Sequence, residues 1–140
     1  FGVPVRLEPW VGRWMSLPSG DVTRMGCGDV SRALGLGAVV GSRVWDRQHQ
    51  VRLHLGPLTL AQYHLFLPKG SAVPALQAWL RQLLGDELDW DAELILMKEE
   101  VPVTRLGSGQ GSRLGWTSWL GRQKRRHDAA DVRVANRVAV

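Results

Sequence analysis

The sequence predicts an α+β fold: a small, mainly antiparallel sheet, two helices between its strands, and two long glycine-rich protruding loops. Three observations carry this reading. Val51, Leu53 and Leu55 alternate with Arg52 and His54, the period of a half-buried strand. Leu76, Trp79, Leu80, Leu83 and Leu84 recur at helical spacing. Two arms, at about 24–46 and 102–130, are rich in glycine and outrun the roughly 12–15 residues usual for a loop in a compact domain.

Each element follows from local chemistry. Val3, Val5 and Leu7 alternate as a first strand, and Pro4, which lacks a donor for the ladder, suits a sheet edge. Val44 to Asp46 is set aside in measuring the long stretch between Trp14 and the strand at Val51. The strand through Val51 ends at Gly56-Pro57, after which Thr59 caps a short helix reaching Leu67. Pro68-Lys69-Gly70 stops that helix; Ser71 opens the second, and Gly85 closes it. Ala92, Leu94 and Leu96 alternate with Glu93 and with apolar Ile95 and Met97, so this strand is expected to be covered on both faces. Val132 and Val134 mark a last strand. Residues 1–140 read as one domain carrying two arms. Trp10, Trp14, Trp45, Trp79 and Trp90 are assigned to the core or its margin, several lying on strand or helix patterns.

The arms contain a repeat. Arg24-Met-Gly-Cys-Gly-Asp-Val-Ser31-Arg32 is echoed by Arg105-Leu-Gly-Ser-Gly-Gln-Gly-Ser112-Arg113. Leu34-Gly-Leu-Gly-Ala-Val-Val-Gly41 follows the first copy once Ala33 is skipped, and Leu114-Gly-Trp-Thr-Ser-Trp-Leu-Gly121 follows the second. Leu36, Val39 and Val40, like Trp116, Trp119 and Leu120, fall at i, i+3 and i+4, one side of a short helical turn. A turn that short is marginal alone in water. Permanent disorder does not suit an arm with two Trp within four residues. Two matching apolar turns suggest two equivalent docking elements, and hence an adaptor. The blander reading folds the same residues back as lids on the domain's own core; the duplication favours docking.

Composition sets the bounds. With 44% apolar and 22% charged residues over 140 positions, the chain can bury a core as a globular domain. No apolar run approaches the ~20 residues of a membrane span, and no secretory leader is visible. A chain opening on Phe1 reads as a fragment or processed product. Cys27 is the only cysteine, which excludes an internal disulfide and fits the cytoplasm. The net charge of +5 is segregated: Asp86–Glu100 carries seven acidic residues and one Lys, whereas Arg105–Val140 carries eight basic and two acidic. Opposed patches suit protein contacts or pairing within the fold as well as nucleic acid.

Several stretches together resemble the C-terminal part of the TssG (VasB, ImpH) family, a baseplate subunit of the bacterial type VI secretion system. They are Val11-Gly-Arg-Trp14, Leu17-Pro18, Leu34 through Asp46, Leu55-Gly-Pro-Leu58, Leu67-Pro68, Gly85-Asp-Glu-Leu-Asp-Trp90, Arg105-Leu-Gly107 and Leu114 through Gly121. They keep the family's order and cover nearly the whole chain. Met25 stands where Leu is commoner, and Gly37-Ala38 where a more polar pair is frequent. The resemblance implies a cytoplasmic scaffold in a wedge with two copies of TssF, at the baseplate docked to the inner-membrane complex. It implies two loops that each engage a TssK trimer, with other baseplate components as further contacts. The docking role then falls on Leu34, Leu36, Val39 and Val40 in the first arm, and on Leu114, Trp116, Trp119 and Leu120 in the second.

Other chemistries find less support. Gly121-Arg-Gln-Lys-Arg-Arg-His127 raises the alternative of a basic nucleic-acid-binding module, but no aromatic platform or nucleic-acid fold accompanies it. Direct membrane insertion is not expected. The arm glycines lack a Gly-Lys-Ser/Thr ending, so a phosphate loop, and any cofactor, is not expected. His49, His54, His64 and His127 are scattered, and Asp86, Glu87, Asp89 and Asp91 lack calcium-loop spacing, so no metal site is assigned. No Gly-x-Ser-x-Gly elbow occurs and Cys27 has no evident His partner, so the chain is read as a non-enzyme with no catalytic residues.

Overall fold

A computed structural model of the chain describes residues 2–23, 35, 38–103, 113–120 and 125–135. The strands are β1 (Val5–Glu8), β2 (Arg13–Ser16), β3 (Arg43–Asp46), β4 (Gln50–Leu58), β5 (Asp89–Leu96) and β6 (Ala129–Ala135). Helices α1 (Leu60–Phe66) and α2 (Val73–Leu84) lie between β4 and β5, and a short 3-10 turn spans Lys98–Glu100. The chain divides into two compact units, one of Phe1–Pro9 with Val51–Val140, the other of Trp10–Gln50. The fold is mixed α+β, as expected. Much of both long arms lies outside the described residues.

The first unit is built on a sheet in the order β1-β4-β5-β6. β1 runs antiparallel to β4 from Val5↔Leu55 to Glu8↔Arg52, and β6 antiparallel to β5 from Asp91↔Ala135 to Leu96↔Ala129. Between β4 and β5 the partners advance together: Arg52 meets Asp91 and His54 meets Glu93, each 39 positions apart. That stepping is parallel, and a parallel neighbour needs a crossover, which α1 and α2 supply. β1 is an edge strand, as Pro4 suggested; the Pro4 carbonyl accepts from the Gly56 N–H at 3.0 Å.

Side-chain alternation decides which sheet face is covered. Val51, Leu53 and Leu55 of β4, with Trp90, Ala92, Leu94 and Leu96 of β5, turn to the core, joined by Ala129 and Val132 of β6. α1 starts with a capping box, Thr59 Oγ1 accepting from the Gln62 N–H and Gln62 Oε1 from the Thr59 N–H. It buries Tyr63 and Phe66 over this face. β5 departs from expectation: its other face carries Asp91, buried and paired with Arg52, and Glu93, half-buried and paired with Arg133, so ion pairs stand where apolar cover was expected.

The predicted α2 stripe splits. Leu80 is buried and Leu76 and Leu84 pack with it, a narrow line at i, i+4 and i+8; Trp79 and Leu83, one ridge over, are exposed. Ala72, not Ser71, holds the N-cap, with no side-chain bond there, and Gly85 at φ 73° ends the helix by donating to the Arg81 carbonyl.

The tryptophan assignment needs correcting. Only Trp90 of the five belongs to the core; Trp10, Trp14, Trp45 and Trp79 are exposed. The reason for two of them lies in the second unit, where β2 and β3 form a separate two-stranded sheet with Trp14 opposite Trp45. Their rings meet edge-on at 5.3 Å instead of under a second layer. Trp45 also lies over Gly12, where a Cβ would fall 2.1 Å from the ring.

Candidate docking site

The second arm is described from Arg113 to Leu120. Arg113's carbonyl accepts from the N–H groups of Trp116 at 3.1 Å and Thr117 at 2.9 Å, closing one helical turn. The Thr117 hydroxyl accepts from the Arg113 N–H at 2.7 Å, so a buried side chain ties the turn's start to its end. Gly115 adopts φ +79° with open space around it, so backbone conformation and not crowding favours glycine there.

Three contacts fasten this segment to the first unit's core. The Tyr63 hydroxyl donates to the Trp116 carbonyl at 2.8 Å. The Trp119 ring lies 6.0 Å from that of Tyr63, and its Nε1–H donates to Asp131 Oδ2 at 3.1 Å. Arg125 donates to the same oxygen at 3.0 Å. Burial first, and then the Asp131 charge, push the Tyr63 hydroxyl up to about 12.

The eight residues assigned to docking therefore have different surroundings. Leu114 is 94% exposed and Leu120 is 99% exposed, whereas Trp119 is only 7% exposed. Trp116 packs partly against the core, with the Arg113 guanidinium 5.7 Å over its ring. The expected one-sided array at Trp116, Trp119 and Leu120 does not form, because the helical turn stops at Thr117 and the next three residues run on without helical phasing. In the first arm Val40 is 93% exposed while Val39 is half-buried, its N–H donating to Thr23 Oγ1 at 2.9 Å. Leu34 and Leu36 lie outside the described residues.

At the described positions the two copies share a glycine conformation and a similar order of burial. Gly35 has φ +84° and its counterpart Gly115 +79°. Val39 is half-buried and Trp119 buried, whereas Val40 and Leu120 are exposed. The anchors Tyr63, Thr117 and Asp131 were not singled out from sequence. Thr117 had a usable signal, a hydroxyl interrupting an apolar run four residues after Arg113; Asp131 had none, since its partners lie on other segments.

Of the basic cluster, Arg125 and Arg126 are described, and Arg125 is paired with Asp131. Among the described residues no group of three His, Cys, Asp or Glu is placed to hold a metal ion, and no helix is long and apolar enough to cross a membrane.

A sequence profile of the family described as "Type VI secretion, TssG" matches residues 1–121. Among solved structures, the chain is similar to one in the cryo-electron microscopy structure of the type VI secretion system TssK-TssF-TssG baseplate subcomplex. The TM-score is 0.66 at 24% identity, over 94% of this chain and 56% of that one. It is also similar to a chain of the baseplate complex from the type VI secretion system, with TM-score 0.58 at 24% identity, over 96% of this chain and 38% of that one. The chain thus spans 56% or less of the length of these structural relatives. No curated protein matches it. At this identity the structural likeness speaks for the fold, and the profile match over most of the sequence carries the relationship: the chain belongs to the TssG family of type VI secretion.

Proposed function

We propose that the chain is a structural adaptor of the type VI secretion baseplate, without catalysis, in a cytoplasmic wedge with two copies of TssF. Its two arms each dock a TssK trimer. The observation that carries this is a matched order at the described positions: a left-handed glycine at 35 and 115, a half-buried Val39 or buried Trp119, and an almost fully exposed apolar residue at 40 and 120. Two like elements on one chain suit two like partners. The family membership and the baseplate assemblies named for its structural relatives support the same reading.

Within each arm the roles divide. Leu114 and Leu120 meet the partner, Trp116 adds its uncovered edge, and Trp119 presents the turn by anchoring it. Val40 holds the equivalent place in the first arm, with Val39 behind it and Leu34 and Leu36 contributing nearby. Burying one exposed leucine is worth about 1.5–3 kcal/mol gross, and association consumes part of that.

Co-purification of the full-length chain with TssF and TssK homologues tests the reading. Leu114→Ser with Leu120→Ser is expected to remove about half of the bound TssK, as each arm independently holds one of two copies, and Val39→Ser with Val40→Ser the remainder. TssF should stay bound throughout. Undiminished TssK capture after both arms are changed overturns the proposal.

A further inference from the structure

We propose that the open pocket beside the Arg113–Thr117 turn binds the carboxylate of an acidic side chain on the protein that docks there, an inference that rests on the docking reading of the second arm. The cavity measures about 340 Å³ and is lined by His64, Lys69, Gly70, Arg113 and Thr117, with Leu67 and Pro68. Three of these side chains carry nitrogen donors and none is a carboxylate. An oxyanion is the ligand that such a lining recognises, and the planar Arg fork matches a carboxylate edge-on.

The cations stand on fixed backbone. Lys69 adopts φ +74° just before Gly70, whose N–H donates to the Leu67 carbonyl at 2.7 Å. A Cβ at Gly70 would fall 2.1 Å from the Leu65 carbonyl oxygen, so the bend admits little else. Arg113 is held by its N–H bond to Thr117 and by the Trp116 ring beneath its guanidinium. Preorganised donors lose less freedom when an anion arrives.

Charge favours a protein carboxylate as the source. From Val101 to His127 the sequence holds six Arg or Lys and no Asp or Glu. Of the described cations in that stretch, Arg125 is paired with Asp131. Leu114, next to Arg113, is exposed, so an apolar contact and an anion site adjoin on one surface. A partner presenting an Asp or Glu beside an apolar residue would engage both. Free inorganic phosphate shares the chemistry but would not use Leu114.

The test has two arms, both on the full-length chain. In the first, the chain alone is titrated with acetate and with inorganic phosphate at constant ionic strength, followed by the ring resonances of His64 and the indole N–H resonance of Trp116. Saturable changes are expected with acetate, weakened about tenfold by Lys69→Gln or Arg113→Gln, a charge-assisted bond's worth, and unmoved by Lys98→Gln. No saturable change with either anion overturns the proposal. In the second, capture of the TssK homologue is measured with the same variants. A loss with Lys69→Gln and Arg113→Gln, larger when Leu114→Ser is added, supports a protein carboxylate. Anion binding with unchanged capture overturns it in favour of a free ion. Failure of the unsubstituted chain to capture TssK sinks the docking reading, and this proposal's partner with it, whatever the titration shows.

Discussion

Arg52 and Asp91 face each other across β4 and β5 through two hydrogen bonds, Nε to Oδ1 at 2.6 Å and Nη2 to Oδ2 at 2.8 Å. They open a polar band over the four-stranded sheet, where the His54 ring stands between the carboxylates of Glu8 and Glu93 and Arg133 also meets Glu93. Both partners of the fork are mostly buried. Asp91→Ala, which strands the guanidinium, should destabilise the chain by about 3 kcal/mol, read from urea unfolding at neutral pH. Arg52→Met with Asp91→Leu should recover most of the loss, because the desolvation cost of both charges is removed together. A loss no larger in Asp91→Ala than in the double variant counts against the fork.

The edge strand β1 carries a pH signature. Its Glu8 accepts from His54 Nε2 at 2.8 Å, and this hydrogen bond, opposed by desolvation, holds the carboxyl below its ordinary 4.5. A group whose pKa is lowered by folding adds stability above its unfolded value, and that contribution is lost as pH falls through the folded value. Carboxyl NMR should therefore show Glu8 titrating below 4.5, and His54→Gln should return it toward 4.5. An ordinary Glu8 titration in the unsubstituted chain would refute the contact.

Tyr63 is the chain's single tyrosine, so ultraviolet titration reads it alone. Its hydroxyl should ionise near 12 instead of 10.0. A raised pKa means the stabilisation is complete below 10.0 and fades as pH climbs toward 12. Tyr63→Phe removes the donor to the Trp116 carbonyl and should cost about 1–2 kcal/mol, with that alkaline decline flattened. Ionisation at the ordinary value would place the ring in water.

Gly12 leaves space that the Trp45 ring fills, a Cβ there meeting ring carbon at 2.1 Å. Gly12→Ala should push Trp45 off its seat and break the edge-on pair with Trp14, costing about 1–3 kcal/mol. Near-ultraviolet circular dichroism should lose tryptophan signal while the far-ultraviolet spectrum changes little. Unchanged near-ultraviolet bands would contradict the packing.

The second arm separates stability from binding. Trp119→Ala removes a buried ring and should cost about 3–5 kcal/mol. Leu114→Ser and Leu120→Ser, on side chains already in water, should stay within about 0.5 kcal/mol of the parent. Thermal unfolding of the three variants, beside TssK capture, distinguishes an anchor from a contact. A large stability loss in the leucine variants would show that they pack inside the fold.

The strand through Val51, the Thr59 cap and the Gly85 stop were legible because each depends on neighbours within a few residues, where period and capping chemistry act. Trp14, Trp45 and Trp79 were not. A large aromatic on a strand or helix pattern is usually buried, but burial needs another layer, and neither the two-stranded sheet nor the outer ridge of α2 provides one. The arm followed the same division. Its repeat, its glycines and its apolar positions were plain in the sequence, whereas Trp119 turning in and Leu120 turning out was not.

The sequence by itself determined the class of the fold, the order of the four strands and two helices of the first unit, the duplication of the arms and the family, all properties of local period and residue identity. The β2-β3 pair was not among them. Tertiary structure alone decided which apolar residues remain available. Trp119 is taken up by Tyr63 and Asp131, 56 and 12 positions away in the chain. Leu114 and Leu120 are left outside because the turn closes on Arg113's carbonyl and is held from within. Burial depends on which surfaces meet, and those surfaces come from segments that no local pattern brings together.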